Sequence, residues 1–203
     1  MTGLARLSVR GLRSELAGPF DLELQTGRCA VITGPSGAGK SLFLRMLADL
    51  DPNQGEVRLN DRERGQFAPA DWRRRVTYVA AEAGWWEERV MTHFAADRHD
   101  VARGLARQMG LGPELFEVEV SRLSTGEKQR FALVRALVLD APVLLLDEPT
   151  GALDQASVAL VEGVLRARLS EGGAIIMVTH DESFGQRMGD QRYRMSQRRL
   201  SAA

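Results

Sequence analysis

Gly34, Pro35, Ser36, Gly37, Ala38, Gly39, Lys40 and Ser41 fit the spacing G-x-x-x-x-G-K-[ST]. Glycines at such spacing let successive backbone N–H groups close around phosphate oxygens, and a helix beginning at the end of the loop adds about half a positive charge. Lys40 is then placed to reach the β- and γ-phosphates of a nucleotide. The Ser41 hydroxyl suits Mg²⁺, whose near-octahedral shell takes few protein ligands. Leu42 follows directly and is counted with the nucleotide-contacting set. A glycine-rich turn with no ligand is the plain alternative. The apolar run 29–33 before the loop and the helical pattern 41–50 after it favour the phosphate reading.

A second pair of reactive groups, Asp147 and Glu148, stands just past the apolar run 143–146. Adjacent carboxylates at the end of a buried strand call for a cation or a reacting group opposite them. Asp147 suits a Mg²⁺ shell and Glu148 suits positioning and polarising an attacking water. Capping of a buried helix is the bland alternative. His180 closes a third apolar run, 174–179, at the end where open α/β sheets place their ligands, and is assigned to a γ-phosphate contact. His93 and His99 lie in a polar stretch and are read as structural.

The elements that must position these groups are also legible. Runs 29–33, 143–146 and 174–179 are rich in Val, Ile and Leu without alternation, so they read as central strands buried on both faces of a parallel sheet. Residues 4–9 and 20–24 read as an antiparallel lead-in. Val57 and Leu59 alternate as a further edge strand after a turn at 52–55. Phe94, Val101, Leu105 and Met109 recur at helical spacing, predicting a helical insert over about 92–115.

The whole chain sets bounds on these readings. With 203 residues and 44% apolar composition it can bury one substantial core. Its 27 basic and 27 acidic residues cancel, so overall charge does not argue for nucleic acid or an anionic membrane surface. The longest apolar segments are far short of the roughly 20 residues that span a bilayer, and no secretory signal is visible at the N-terminus. The expectation is a protein that stays where it is made and meets a membrane only through a partner. Cys29, the single cysteine, sits in an apolar run and is read as a packing residue.

Leu123, Ser124, Thr125, Gly126, Glu127, Lys128, Gln129 and Arg130 precede a helical stretch at 131–139. Ser124 with Glu127 three residues on is a capping box. The order of motifs is phosphate loop, Leu-Ser-x-Gly-Glu-x-Gln-Arg, Leu-Leu-Leu-Asp-Glu-Pro-Thr, Gly-Ala-Leu-Asp and Thr-His-Asp. Across essentially the whole chain it resembles the ATP-binding subunits of ABC transporters. The resemblance implies an α/β P-loop NTPase with a mostly parallel central sheet, an antiparallel β lead-in and a small helical subdomain. Residues 1–85 and 136–203 would form the nucleotide-binding core, and 86–135 the helical subdomain with the signature motif. It implies a chain that hydrolyses ATP with Mg²⁺ and pairs with a second copy, so that each ATP lies between one phosphate loop and the partner's Ser124, Thr125, Gly126 and Glu127. Asp154 falls in the segment that crosses that interface. The implied partner is a separate transmembrane permease at the inner face of the cell membrane, with no nucleic acid. A soluble relative acting on nucleic acid, or a small-molecule kinase sharing the loop, are the other readings. The first usually carries two cassettes, and the second has no need of the signature segment.

The sequence departs from the family at three places. Ala81 stands where a glutamine is usual after the strand 76–79, so either Glu82 substitutes or the relay to the permease is altered. No adenine-stacking aromatic appears among Arg13, Ser14, Glu15 and Leu16, and Phe20 reads as part of a strand. Thr125 replaces a second glycine. Trp85 and Trp86 lie where the family docks its membrane partner, and packing of the insert on the sheet is the equal alternative. Arg73, Arg74 and Arg75 read as a solvated turn.

Overall fold

Three runs of unbroken apolar side chains dictate a sheet covered on both faces, and the chain builds its other elements around them. The computed structural model describes residues 5–203. β1 (Ala5–Arg13) and β2 (Phe20–Gln25) open it as an antiparallel pair. β3 (Cys29–Thr33) leads through the phosphate-loop residues into α1 (Lys40–Leu47). β4 (Gln54–Leu59), the two-residue β5 (Arg62–Glu63), α2 (Pro69–Arg75) and β6 (Val76–Val79) follow. The helical insert carries α3 (His99–Gln108) and α4 (Thr125–Val138). The chain then returns through β7 (Val143–Asp147), α5 (Gln155–Ser170), β8 (Ala174–Val178) and α6 (Glu182–Met188) to a hairpin of β9 (Gln191–Ser196) and β10 (Arg199–Ala202).

Two sheets result. The smaller, ordered β2-β1-β4-β5, is antiparallel; the larger, ordered β10-β9-β3-β8-β7-β6, is parallel except for its β10–β9 edge. Side chains alternate through the large sheet and split the core in two. Ala30, Ile32, Leu145 and Ile176 face the antiparallel sheet and α1, where Phe20 stacks on Phe43 at 4.9 Å. Cys29, Val31, Leu144 and Met177 face α4, α5 and α6 and the insert. The Cys29 thiol is fully buried there, and burial together with the nearby Asp190 charge pushes its pKa up to about 12, which fits packing rather than reactivity.

Register is what positions the site. Ile32 pairs with Val178, Val178 with Asp147, and Leu146 with Val79, so β3, β8, β7 and β6 end level along one edge. The phosphate loop, His180, Glu148 and Ala81 therefore emerge side by side.

Several sequence expectations change. The helix after the phosphate loop stops at Leu47 rather than 50, because Asp49 takes φ 58° and Pro52 follows soon after. The helix read at 131–139 begins at Thr125, directly on its cap. The strand at 57–59 is not an edge: β4 begins at Gln54 and lies between β1 and β5. The lead-in strand is longer than 4–9, and Leu4 lies outside the described residues. Within the stretch 92–115 only α3 is regular, flanked by 3₁₀ turns, and Val101 is 46% exposed while Ala102 and Ala106 are the buried positions of α3. Arg73, Arg74 and Arg75 are exposed, as expected of a solvated turn, but that turn is the last of α2, where cations complement the helix dipole. Trp72 on that helix is fully buried and its Nε1 donates to Leu47 O at 2.8 Å.

Candidate functional site

The phosphate loop depends on glycine at two points. Gly34, at φ 145°, passes so close to the β9 backbone that a Cβ would overlap the Met195 carbonyl. Gly39 holds a left-handed φ of 101° as the N-cap of α1, and no side chain caps the helix. The first N–H groups of α1 are therefore aimed at the cleft with no internal partner, which is the arrangement that binds anions. Lys40 is 7% exposed, and its Nζ donates to Gly34 O at 2.8 Å and Pro35 O at 2.9 Å.

The loop forms one wall of a cleft of about 410 Å³. Ser36, Gly37, Gly39, Lys40, Ser41 and Leu42 line it on that side; Asp147, Glu148, His180 and Ala81 line it opposite. Asp147 is 4% exposed and its Oδ2 accepts from the Tyr78 hydroxyl at 3.0 Å; burial and that carboxylate raise the Tyr78 pKa, so the phenol stays a donor. One hydroxyl and one buried carboxylate facing a phosphate loop is the hard oxygen set that fits Mg²⁺ when phosphate oxygens and water complete the shell. No larger acidic or histidine cluster that could hold a metal occurs among the described residues.

Glu148 is held in an unusual way. Its φ is 48°, a left-handed conformation that costs a non-glycine residue about 1 kcal/mol or more. Hydrogen bonds fix it: Glu148 N donates to Val178 O at 2.9 Å, while Glu148 O accepts from Gln129 Nε2 at 2.6 Å and Gly151 N at 3.2 Å. Its Oε2 accepts from His180 N at 3.0 Å, and Oε1 lies 3.2 Å from His180 Nε2, within ion-pair range but out of hydrogen-bond alignment. Burial raises the Glu148 pKa, opposed by the His180 N–H and ring and, more weakly, by Lys40. A partly buried carboxylate with a raised pKa beside a phosphate cradle is equipped to accept a proton.

Gln129 is a contributor that sequence reasoning left inside the signature motif without a role. Its amide is used at both ends, since Oε1 also accepts from Ala152 N at 3.0 Å, so it clamps α4 to the strained Glu148 turn. Gln129→Met, apolar and of similar length, is expected to lower turnover by about ten- to a hundredfold through misplacement of Glu148. ATP affinity should stay within about twofold, since Gln129 lies outside the cleft. Steady-state kinetics alongside nucleotide titration checks this; a matched loss in both would mark a general folding defect.

Ser124, Thr125, Gly126, Glu127 and Asp154 are not among the residues lining the cleft. The capping box forms as expected: Ser124 Oγ accepts from Glu127 N at 3.3 Å and Glu127 Oε2 accepts from Ser124 N at 2.8 Å. The Ser124 hydroxyl, donating to Glu127 Oε2 at 2.7 Å, and the Ser124 N–H hold the Glu127 carboxyl below its usual range. Asp154 caps α5, its Oδ1 accepting from Ser157 N at 2.7 Å. The two segments touch each other, with Gly126 approaching Ala152 O and Leu153.

Ala81 lines the cleft and Glu82 does not. The two tryptophans divide the roles offered to them: Trp85 packs on the insert core, whereas Trp86 is 65% exposed. Both stack on the Arg135 guanidinium, at 4.8 and 4.6 Å. His93 Nε2 accepts from Trp86 N and Glu87 N at 3.2 and 3.1 Å, and His99 contacts Phe94 O at 3.2 Å, so both histidines are structural. Leu16 and Arg198 also line the cleft, and sequence reading gave neither a role there.

Fold and site together define a P-loop NTPase. The sequence profile of the ABC transporter family matches residues 18–151, more than half of the chain. The chain belongs to that family, as one of its ATP-hydrolysing domains. It is 38% identical over 158 residues to the cytochrome c biogenesis ATP-binding export protein CcmA of Cereibacter sphaeroides, covering 77% of this chain and 71% of that one. It is 34% identical over 179 residues to the macrolide export ATP-binding/permease protein MacB of Bordetella avium, covering 80% of this chain but 27% of that much longer one. Among solved structures, an ATP-binding subunit of an ABC transporter superposes with a TM-score of 0.87 at 20% identity over 97% of this chain and 89% of that one. A dimeric ATP-binding cassette in a post-hydrolysis state, bound to ADP and phosphate, gives 0.80 at 19% identity over 97% and 98%. These two likenesses are of fold.

Proposed function

We propose that this chain is the ATPase subunit of a transporter, closing head to tail with a second copy around ATP to drive a separate membrane permease. One observation carries the reading. Phosphate loop, Asp147, Glu148 and His180 share a cleft, while the capped start of α4, with its free N–H groups and positive dipole end, stands outside it beside Asp154. A second copy placed head to tail would bring Ser124, Thr125, Gly126 and Glu127 onto the γ-phosphate, completing the site twice.

In that site Glu148 accepts the proton of the attacking water and His180 contacts the γ-phosphate. Mg²⁺, held by Ser41 and Asp147, would supply charge neutralisation on the phosphate oxygens. Loss of the γ-phosphate removes the bridge between copies and lets them part. Residues 86–135 act as the helical subdomain. Exposed Trp86 with Arg135 behind it is a suitable anchor for the permease, and Ala81, offering only a methyl group to the cleft, gives this chain a different relay from the glutamine of its relatives. No helix among the described residues is long and apolar enough to cross a membrane. In this reading association with the inner face of the membrane runs through the permease. That both named relatives are export proteins supports outward transport.

Detergent extraction with this chain as bait is the test. The expected result is copurification of a multi-span membrane protein that raises ATP turnover. Turnover unchanged by every copurifying protein would count against the permease assignment.

A further inference from the structure

β9 and β10 are joined by only two residues, Gln197 and Arg198, and both have positive φ, 46° and 59°. This is a type I′ hairpin, where Asn and Gly are the favoured residues and other side chains are strained. The strained arginine is not a free surface residue. Its Cγ passes 3.7 Å from where a Cβ on Gly39 would lie, its Nη1 donates to Leu16 O at 2.7 Å, and its own carbonyl accepts from Gly18 N at 3.2 Å. Leu16 and Arg198 thus line the same cleft as the phosphate loop, and Leu16 leaves 59% of its surface open. No Phe, Tyr or Trp is among the described residues lining that cleft, and its one imidazole, His180, is paired with Glu148.

We infer that Leu16 and Arg198 form the shelf for the nucleoside base, with the guanidinium plane stacked on the base face. The inference rests on the ATP reading above. Leu16 and Arg198 belong neither to the phosphate loop nor to the carboxylate and histidine wall, and the Arg198 guanidinium bonds the Leu16 carbonyl, so phosphates bound over residues 36–42 leave these two for the base. A guanidinium is planar and stacks on π-faces, and the bond to Leu16 O fixes its orientation while leaving its face open. Backbone strain kept at a turn whose side chain reaches a binding cleft is itself a mark of function. Stacking reads the face of a base and not its hydrogen-bonding edge. The shelf therefore separates ATP from GTP only weakly, whereas any nucleotide is distinguished from bare phosphate.

Arg198→Gly and Arg198→Lys test this by calorimetric titration with ATP, GTP and inorganic tripolyphosphate. Glycine suits the turn, so the melting temperature should hold or rise. Both variants are expected to weaken ATP and GTP about five- to tenfold, and the tripolyphosphate affinity should stay within about twofold. Wild type should prefer ATP to GTP by less than about fivefold. Unchanged ATP affinity in Arg198→Gly overturns the shelf. So does an equal loss for tripolyphosphate, or full rescue by lysine, since either makes Arg198 a phosphate contact. A wild-type chain that binds neither ATP nor tripolyphosphate overturns the nucleotide reading as well.

Discussion

Glu148→Gln is expected to lower ATP turnover by about a hundred- to ten-thousandfold while ATP binding persists. Glutamine has the same shape, and the left-handed backbone at this position is fixed by Val178 O, Gln129 and Gly151, so the side chain remains in place. Its oxygen can still accept from His180 N, as Glu148 Oε2 does at 3.0 Å. What is lost is the capacity to take a proton. With the γ-phosphate retained, the two copies should stay closed around ATP, and light scattering should report an ATP-dependent dimer. The pH profile separates a base from a merely positioning group. Burial raises the Glu148 pKa, so its protonated, inactive form persists to higher pH than the ordinary glutamate value of about 4.3. Wild-type turnover should therefore climb along an acid limb displaced upward, and the residual turnover of Glu148→Gln should lack that limb. Intact turnover with only monomer in solution would sink both the base and the composite site.

The groups in this argument differ in how plainly the sequence declares them. Lys40, Asp147 and His180 each end or follow an unbroken apolar run, and such runs become level parallel strands, so their convergence could be read from spacing and strand ends alone. The Ser124–Glu127 capping box is local and equally legible, because its members are only three positions apart. Gln129 was not. Its role depends on Glu148 O and Ala152 N, 19 and 23 positions away, and on a left-handed φ at Glu148 that no local pattern signals. Arg198 was hidden for a related reason. A hairpin turn is recognised by Asn or Gly, and Gln197-Arg198 offers neither, so the β9–β10 hairpin and the residue it delivers escaped notice. The short α2 was missed because its apolar content is one buried tryptophan, too little for a periodicity. The misplaced Val101 shows the opposite failing. Helical spacing was present and Phe94 and Met109 are buried as it implies, but within α3 the fully buried positions are Ala102 and Ala106, which a hydrophobicity pattern underweights.

Lys40→Ala should abolish tight ATP binding, weakening it by at least about a hundredfold, because hydrogen bonds from a charged donor are worth about 1.5–3 kcal/mol each and Lys40 can make more than one to the β- and γ-phosphates. The lysine is also placed at a cost. Its ammonium is buried and satisfied by two neutral carbonyls, Gly34 O and Pro35 O, rather than by a carboxylate, so its charge is left available for an anion. Lys40→Met retains the packing of the stem and removes the charge, and should match alanine within about threefold if charge rather than packing holds the phosphates. A second consequence runs to Glu148. Lys40 is one of the charges holding its raised pKa down, so removing the ammonium should move the acid limb of any residual turnover further upward. The contrast with Arg198→Gly gives the cleft its polarity. Loss of Lys40 should abolish tripolyphosphate and ATP alike, whereas loss of Arg198 should spare tripolyphosphate, and calorimetry that found the same pattern for both would mean that one end of the cleft has been assigned wrongly.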